Sequence, residues 1–147
     1  MSNDFTIRVY ALLFNEQNEL LITQEEYRGV QFNKFPGGGL EWGEGPVDTI
    51  KRELKEELNV TGLSFSHFYT TDFFVESYFD TSTQVFSIYF RVNEVISKHE
   101  LELDGEDTRL LGLSWINLST LSKNDVTFPI DKKVVGLLLS ELEALRQ

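Results

Sequence analysis

Apolar and polar residues alternate near the start of the chain. Between Phe5 and Phe14 one predicted face carries Phe5, Ile7, Val9, Ala11 and Leu13. This period is typical of a half-buried β-strand. Residues 15–18 are turn-forming, and Glu19 to Gln24 is predicted to be the returning strand. Residues 25–37 show no clear period and lead into Phe35-Pro36-Gly37-Gly38-Gly39, where we predict a tight, exposed turn.

A helical period follows this turn and returns at the end of the chain. After Pro46, apolar residues recur at three- and four-residue steps at Val47, Ile50, Leu54 and Leu58. The segment 131–146 repeats the pattern, with an inward face of Val134, Val135, Leu138, Leu142 and Leu145. Both segments are therefore predicted to be helices.

Three more strands are predicted, at about 62–74, 83–92 and 110–116, and residues 93–109 are predicted to be a polar loop. In the second of these strands, Phe86, Ile88, Phe90 and Val92 form one face. Strands on both sides of a central helix favour an α/β fold in which helices enclose a mixed central sheet. No linker interrupts residues 1–147, so we expect a single domain.

Composition excludes several functional classes. A formal net charge of −11 argues against binding of polymeric nucleic acid, which depends on Lys and Arg. The absence of Cys excludes a thiolate zinc site and a cysteine nucleophile. The sequence has neither a membrane-length apolar stretch nor an export signal, so we expect no membrane association and a cytoplasmic location.

The predicted central helix carries the candidate chemistry. Glu56, Glu53 and Glu57 fall at roughly 0°, 60° and 100° around the helix axis, beside the apolar stripe. Such crowded like charges repel one another unless cations neutralise them. Mg²⁺ prefers carboxylate oxygens and combines them with substrate phosphates. The spacing therefore predicts a metal-assisted reaction at a phosphate group.

With its preceding glycine turn, this helix resembles the Nudix box, G-x5-E-x7-R-E-U-x-E-E-x-G-U with U a bulky aliphatic residue. The matching residues are Gly38, Glu44, Arg52, Glu53, Leu54, Glu56, Glu57 and Val60. Asn59 stands where the family has glycine, and Asn is the next best residue for a left-handed position after a helix.

The resemblance implies a Nudix α/β/α sandwich that hydrolyses a nucleoside diphosphate linked to a moiety X, using Mg²⁺ or Mn²⁺. It implies that Glu53, Glu56 and Glu57 bind metal and that Glu53 is also a candidate base. A backbone carbonyl near Gly38 would be a further ligand. Arg52 would orient a catalytic carboxylate, and Glu44 would brace the turn or bind metal through water.

Residues outside the box are candidates for substrate contacts. Tyr27 and Phe74 are candidates to stack on a base or sugar, as are Phe32, Phe73 and Tyr78. Arg28 is a candidate for a phosphate or ribose contact. The family often draws another carboxylate from a late loop. Among residues 100–107 we select Glu106, since Gly105 allows a sharp turn before it.

Three alternatives stay open at this point. The chain is a non-catalytic Nudix domain that senses a nucleotide, or it hydrolyses a modified nucleoside triphosphate, or it catalyses another diphosphate reaction such as isoprenoid isomerisation. The intact glutamates disfavour the first, and the absence of Cys disfavours a cysteine-dependent isomerase. Family members often pair, so a homodimer is also open.

Overall fold

The structure is a computed structural model that describes residues 3–101 and 110–146. Within these residues it contains seven β-strands and two α-helices, in the order β1 (Asp4–Leu12), β2 (Glu19–Tyr27), β3 (Val30–Lys34), β4 (Gly37–Gly39), α1 (Pro46–Leu58), β5 (Phe65–Thr70), β6 (Thr83–Val92), β7 (Leu110–Asn117) and α2 (Pro129–Leu145). Two 3₁₀ turns, Lys98–Glu100 and Lys123–Asp125, complete the described secondary structure. The α/β class and both predicted helices are confirmed.

The strands form two sheets. One has the order β4-β1-β6-β5, and the other has the order β3-β2-β7. β1 runs parallel to β6 and antiparallel to β4, so the first sheet is mixed. The strands β1 and β6 are central and have buried side chains on both faces, because helices pack on both sides. The predicted one-sided faces of these strands were therefore wrong, since Tyr10, Leu12 and Tyr89 are buried as well.

Each helix covers a separate hydrophobic core. α1 contributes Ile50, Leu54 and Leu58 to one core, and α2 contributes Val134, Val135 and Leu138 to the other. Four residues predicted to point inward are instead exposed toward the ends of their elements: Phe5 by 68%, Ile7 by 39%, Val47 by 38% and Leu145 by 80%. The periodicity identified the helices correctly but extended their buried faces too far, because no neighbouring element covers these ends.

The glycine-rich turn is the main correction to the predicted fold. Residues 35–38 are buried, and Gly37–Gly39 is a strand that pairs with Arg8 to Tyr10 of β1. A Cβ on Gly37 would lie 2.0 Å from the Val9 carbonyl oxygen, and its φ is +146°. Only glycine allows so close an approach to β1. The strand β3 was also missed, within the segment described as without period.

No helix in residues 3–101 or 110–146 combines the length and apolar character needed to span a membrane.

Candidate active site

Arg52 connects the parts of the box. Its Nε and Nη2 atoms donate to the two Glu44 carboxylate oxygens at 2.7 and 3.0 Å. Nη2 also donates to the Gly39 carbonyl at 3.0 Å, and Nη1 donates to Glu53 Oε1 at 2.9 Å. One planar guanidinium thus joins the loop before α1, the strand β4 and a box glutamate, a task for which its fixed set of donors is suited.

Glu44 fastens the loop to the helix. Besides Arg52, its carboxylate accepts hydrogen bonds from the Glu41 backbone N–H at 3.1 Å and the Thr49 hydroxyl at 2.9 Å. Hydrogen bonds from Arg52, above all, lower the pKa of Glu44 to about 2. The side chain is therefore ionised at neutral pH and fully occupied within the protein, which fits a bracing role.

The three helix glutamates differ in exposure. The side chain of Glu56 is 56% exposed and that of Glu53 is 14% exposed, whereas Glu57 is buried, with 4% of its surface accessible. Gly38 lies directly against Glu53, since a Cβ on Gly38 would be 2.4 Å from Glu53 Oε1. The absence of a side chain at Gly38 leaves the Glu53 carboxylate room that any other residue would fill.

The glutamates of α1 and the carbonyls of β4 offer oxygen donors, which suit a hard divalent cation. The donors on this face are carboxylate oxygens and backbone carbonyls, the ligands that Mg²⁺ and Mn²⁺ prefer. In the described part of the chain, no group of three acidic or histidine side chains lies close enough together to hold a metal ion. Mg²⁺ commonly takes only one or two protein carboxylates and completes its coordination with water and substrate phosphates. Glu53, Glu56 and Glu57 would hold the ion.

Two cations, the partly buried Arg8 and the buried Lys34, lie beside this face. The Arg8 guanidinium donates to Tyr10 Oη at 2.6 Å, and its pKa is raised by Tyr10 first and also by Glu53 and Glu25. Lys34 Nζ lies 2.7 Å from Glu25 Oε2. Neither Arg8 nor Lys34 was predicted from the sequence to belong to the site. A charged residue at an inward-facing position of a strand could have indicated this polar group. Glu25, the partner of Lys34, is such a residue, because it shares a face of β2 with the buried residues Leu21 and Thr23.

A cavity of about 600 Å³ opens between the sheets and the start of α2. Its polar part includes Arg8, Glu25, Lys34 and Asp131, and its aromatic part includes Tyr27, Phe32, Tyr78, Phe79 and Phe128. The aromatic rings contact one another, for example Tyr27 and Phe79 edge to face at 5.0 Å. Arg8 lies 3.6 Å from the Cβ position of Gly39, so the cavity borders the box.

Asp131 gives the cavity a buried hydrogen-bond acceptor. Its Oδ1 accepts from the Tyr89 hydroxyl, while its Oδ2 is buried without a hydrogen-bond partner among the described residues. Burial raises the pKa of Asp131 to about 6, although Lys34 and Arg8 oppose this shift. A ligand with an N–H group directed at Oδ2 would satisfy this atom.

The predicted substrate residues separate into two groups. Tyr27 and Arg28 line the cavity, as do Phe32 and Tyr78. Phe74 does not line it and is 69% exposed, and Phe73 is also outside it. The phenylalanine pair lies in the irregular segment after β5, a location that its sequence pattern did not indicate. Glu106 lies outside the described residues.

Comparisons with known proteins agree with the box. A family model described as the NUDIX domain matches residues 4–137. An 8-oxo-dGTP diphosphatase of Haemophilus influenzae is 31% identical over 134 residues, 89% of this chain and 89% of that protein. One of Escherichia coli is 42% identical over 60 residues, which are 40% of this chain and 46% of that protein, so that match spans about half of the relative.

A solved structure shares the fold. The MutT protein from Methanosarcina mazei superposes with a TM-score of 0.73 at 22% identity, covering 96% of this chain and 97% of that chain. The NUDIX family model and the Haemophilus relative both match the chain far beyond the residues of the box. The chain therefore belongs to the Nudix hydrolase family, enzymes that use a divalent cation to hydrolyse diphosphate linkages in nucleoside diphosphate derivatives.

Proposed function

We propose that X is phosphate, so that the substrate is a nucleoside triphosphate, and that Mg²⁺ or Mn²⁺ supports its hydrolysis to a nucleoside monophosphate and diphosphate. The observation that carries this proposal is the cavity beside the box, with a buried acceptor and aromatic walls at one side and Arg8 at the other. The Haemophilus relative, named an 8-oxo-dGTP diphosphatase, favours a triphosphate over other derivatives.

In this proposal the base occupies the aromatic part of the cavity. The rings of Tyr27 and Phe79 provide flat apolar surface, and Asp131 Oδ2 accepts an N–H of the base edge. A base edge that offers only acceptors would leave Oδ2 unsatisfied and would bind less tightly. The sugar and phosphates then extend past Arg8, which neutralises part of their charge, toward α1.

The box residues would perform the hydrolysis. When bound, the divalent cation polarises the phosphate oxygens and offsets their charge. Glu53 is the candidate base for the attacking water, and its hydrogen bond to Arg52 at 2.9 Å orients the carboxylate. Water attacks the α- or the β-phosphorus, and its proton passes to the carboxylate. The bridging P–O bond between these two phosphorus atoms breaks, so that nucleoside monophosphate and diphosphate are released. Arg52 donates to both Glu53 and the Gly39 carbonyl and so holds these two groups in a fixed relative position.

The test is a substrate panel with products separated by chromatography. Nucleoside triphosphates (normal and oxidised), dinucleoside polyphosphates and nucleoside diphosphate sugars are each incubated with Mg²⁺ or Mn²⁺. We expect a triphosphate to give the highest kcat/KM and to release diphosphate. Release of single phosphate, or a preference for a diphosphate sugar, would refute the proposal. Glu53→Gln is the matched inactive control.

A further inference from the structure

A buried ion pair lies between β2 and β3. The side chains of Lys34 and Glu25 are 4% and 7% exposed, and Nζ lies 2.7 Å from Oε2. The Thr23 hydroxyl lies 3.1 Å from the same Glu25 oxygen. Transferring two charges out of water is costly, and apolar residues of similar size often serve stability equally well. A contribution to stability alone therefore does not account for this pair.

The hydrogen bonds of Lys34 suggest another role. Its ammonium donates to Glu25, to the Phe35 carbonyl at 3.1 Å and to the Gly37 carbonyl at 3.4 Å. An ammonium has three protons, and all three are directed to acceptors within the protein. Lys34 therefore contacts a substrate only by giving up one of these bonds, which argues against a direct role in binding.

Lys34 and Arg52 hold the two ends of one short strand. The Gly37 carbonyl accepts from Lys34, and the Gly39 carbonyl accepts from Arg52. Between them lies Gly38, which packs against the Glu53 carboxylate. Any displacement of β4 thus changes the space available to Glu53. The position of this box carboxylate depends on both cations.

Lys34 also interacts electrostatically with a box glutamate. Burial by itself lowers the pKa of its ammonium, but the negative charges of Glu25 and Glu57 together raise that pKa above its ordinary value. Lys34 is thus a buried positive charge whose field reaches the buried Glu57 carboxylate. It offsets the repulsion among the clustered glutamates before any divalent cation binds.

We propose that Lys34 is a positioning residue for the metal-binding carboxylates, which it keeps in place by anchoring β4 through the Gly37 carbonyl. This inference rests on the proposed metal-dependent hydrolysis but does not depend on which nucleotide is the substrate. It assigns to the Lys34–Glu25 pair a role in metal binding that is separable from stability.

Three variants separate these roles. Lys34→Met leaves Glu25 buried without its counterion and should destabilise the protein. The pair Glu25→Leu with Lys34→Met removes both charges and should recover the stability. Lys132→Met is the matched control, because Lys132 Nζ also donates to two backbone carbonyls, those of Lys123 and Val126, away from the box.

The decisive measurement is Mn²⁺ binding by electron paramagnetic resonance without nucleotide, with urea unfolding in parallel. We expect the paired variant to unfold at or above the wild-type urea midpoint but to bind Mn²⁺ at least tenfold more weakly, the effect typical of residues that orient metal ligands. Lys132→Met should lower the urea midpoint and leave Mn²⁺ affinity unchanged.

Mn²⁺ affinity within twofold of wild type in the paired variant would overturn the positioning role. If the paired variant keeps its Mn²⁺ affinity and the wild type hydrolyses a triphosphate, the positioning role is wrong but the proposed function stands. If the paired variant binds Mn²⁺ more weakly but the wild type hydrolyses no triphosphate, the positioning role of Lys34 stands and the proposed substrate is wrong.

Discussion

At the scale of single residues, burial separates carboxylates that the sequence makes look equivalent. Glu56 and Glu57 are adjacent in the box, yet the Glu56 side chain is 56% exposed and Glu57 is buried near Lys34. The helical period placed both on one side of α1, because it depends only on the angle around the axis. The helical period carried no information on Lys34, because this residue belongs to β3 and is distant in sequence.

This difference predicts distinct effects of two isosteric substitutions. Glu57→Gln should lower kcat on the order of 10²-fold or more, since ligand changes exceed those of outer residues. It should also lower the thermal midpoint without metal, because it removes a charge that faces Lys34. Glu56→Gln should lower kcat while leaving the metal-free midpoint unchanged. Steady-state kinetics and calorimetry check both, and turnover of Glu57→Gln at the wild-type rate in saturating Mg²⁺ would contradict the metal assignment.

Asp131 is the residue for which pH dependence can be derived. Its folded pKa of about 6 lies above the unfolded value of 3.8. Ionisation therefore costs stability, and the cost increases as pH rises from about 4 to above 6. Asp131→Asn removes this cost and should stabilise the protein at pH 8 by at most about 3 kcal/mol, with little effect near pH 3.8. Urea unfolding against pH measures the difference between the two proteins. A constant difference across that range would show that Asp131 is ionised throughout.

At the scale of elements, helix ends were easier to derive than short strands. Asn59, predicted to be left-handed, has φ 52° and ψ 40°, and its backbone N–H caps α1. That conformation follows from the local sequence, with Asn directly after the last apolar residue of a periodic segment. β4, in contrast, consists of three glycines whose extended conformation follows from pairing with β1. No side-chain pattern within Gly37–Gly39 encodes this pairing.

The same reasoning explains which parts of the site were derived. The box glutamates and Arg52 lie within one helix, so spacing alone brings them together. The cavity collects residues from β1, β2, β3, β6 and the start of α2, and its residues are therefore distant in sequence. Residue type alone suggested Tyr27, Arg28 and Phe74. Tyr27 and Arg28 line the cavity, whereas Phe74 lies outside it on the surface.

The left-handed end of α1 gives a prediction for this element. Asn59→Gly should change the free energy of unfolding by only a few tenths of a kcal/mol, because glycine adopts this conformation freely but gains entropy when unfolded. Asn59→Ala should cost roughly 1–2 kcal/mol, since Cβ disfavours the left-handed region. Denaturant unfolding compares the two. If the alanine variant is as stable as the glycine variant, the end of α1 adopts another conformation in solution.

At the scale of the whole molecule, the negative charge of the chain and the proposed metal site are connected. The acidic residues of a chain with a net charge of −11 repel one another, and Glu53, Glu56 and Glu57 place three of them on one side of α1. The internal cations Lys34, Arg8 and Arg52 offset this charge from within the protein, whereas the solvent side of the face depends on ions from solution. Substrate phosphates would approach this face only together with a divalent cation.

The proposed metal binding predicts that Mg²⁺ stabilises the whole protein, because the unfolded chain does not gather the ligands. At ten times the dissociation constant the gain is about 1.4 kcal/mol, and a chain of this size should melt a few degrees higher. Scanning calorimetry with MgCl₂ against NaCl at equal ionic strength separates site binding from general screening, which both salts provide. The pair Glu56→Gln with Glu57→Gln should lose the difference between the salts but keep the common response. Equal melting temperatures in the two salts for the wild type would mean that the box glutamates do not hold the ion in the absence of nucleotide.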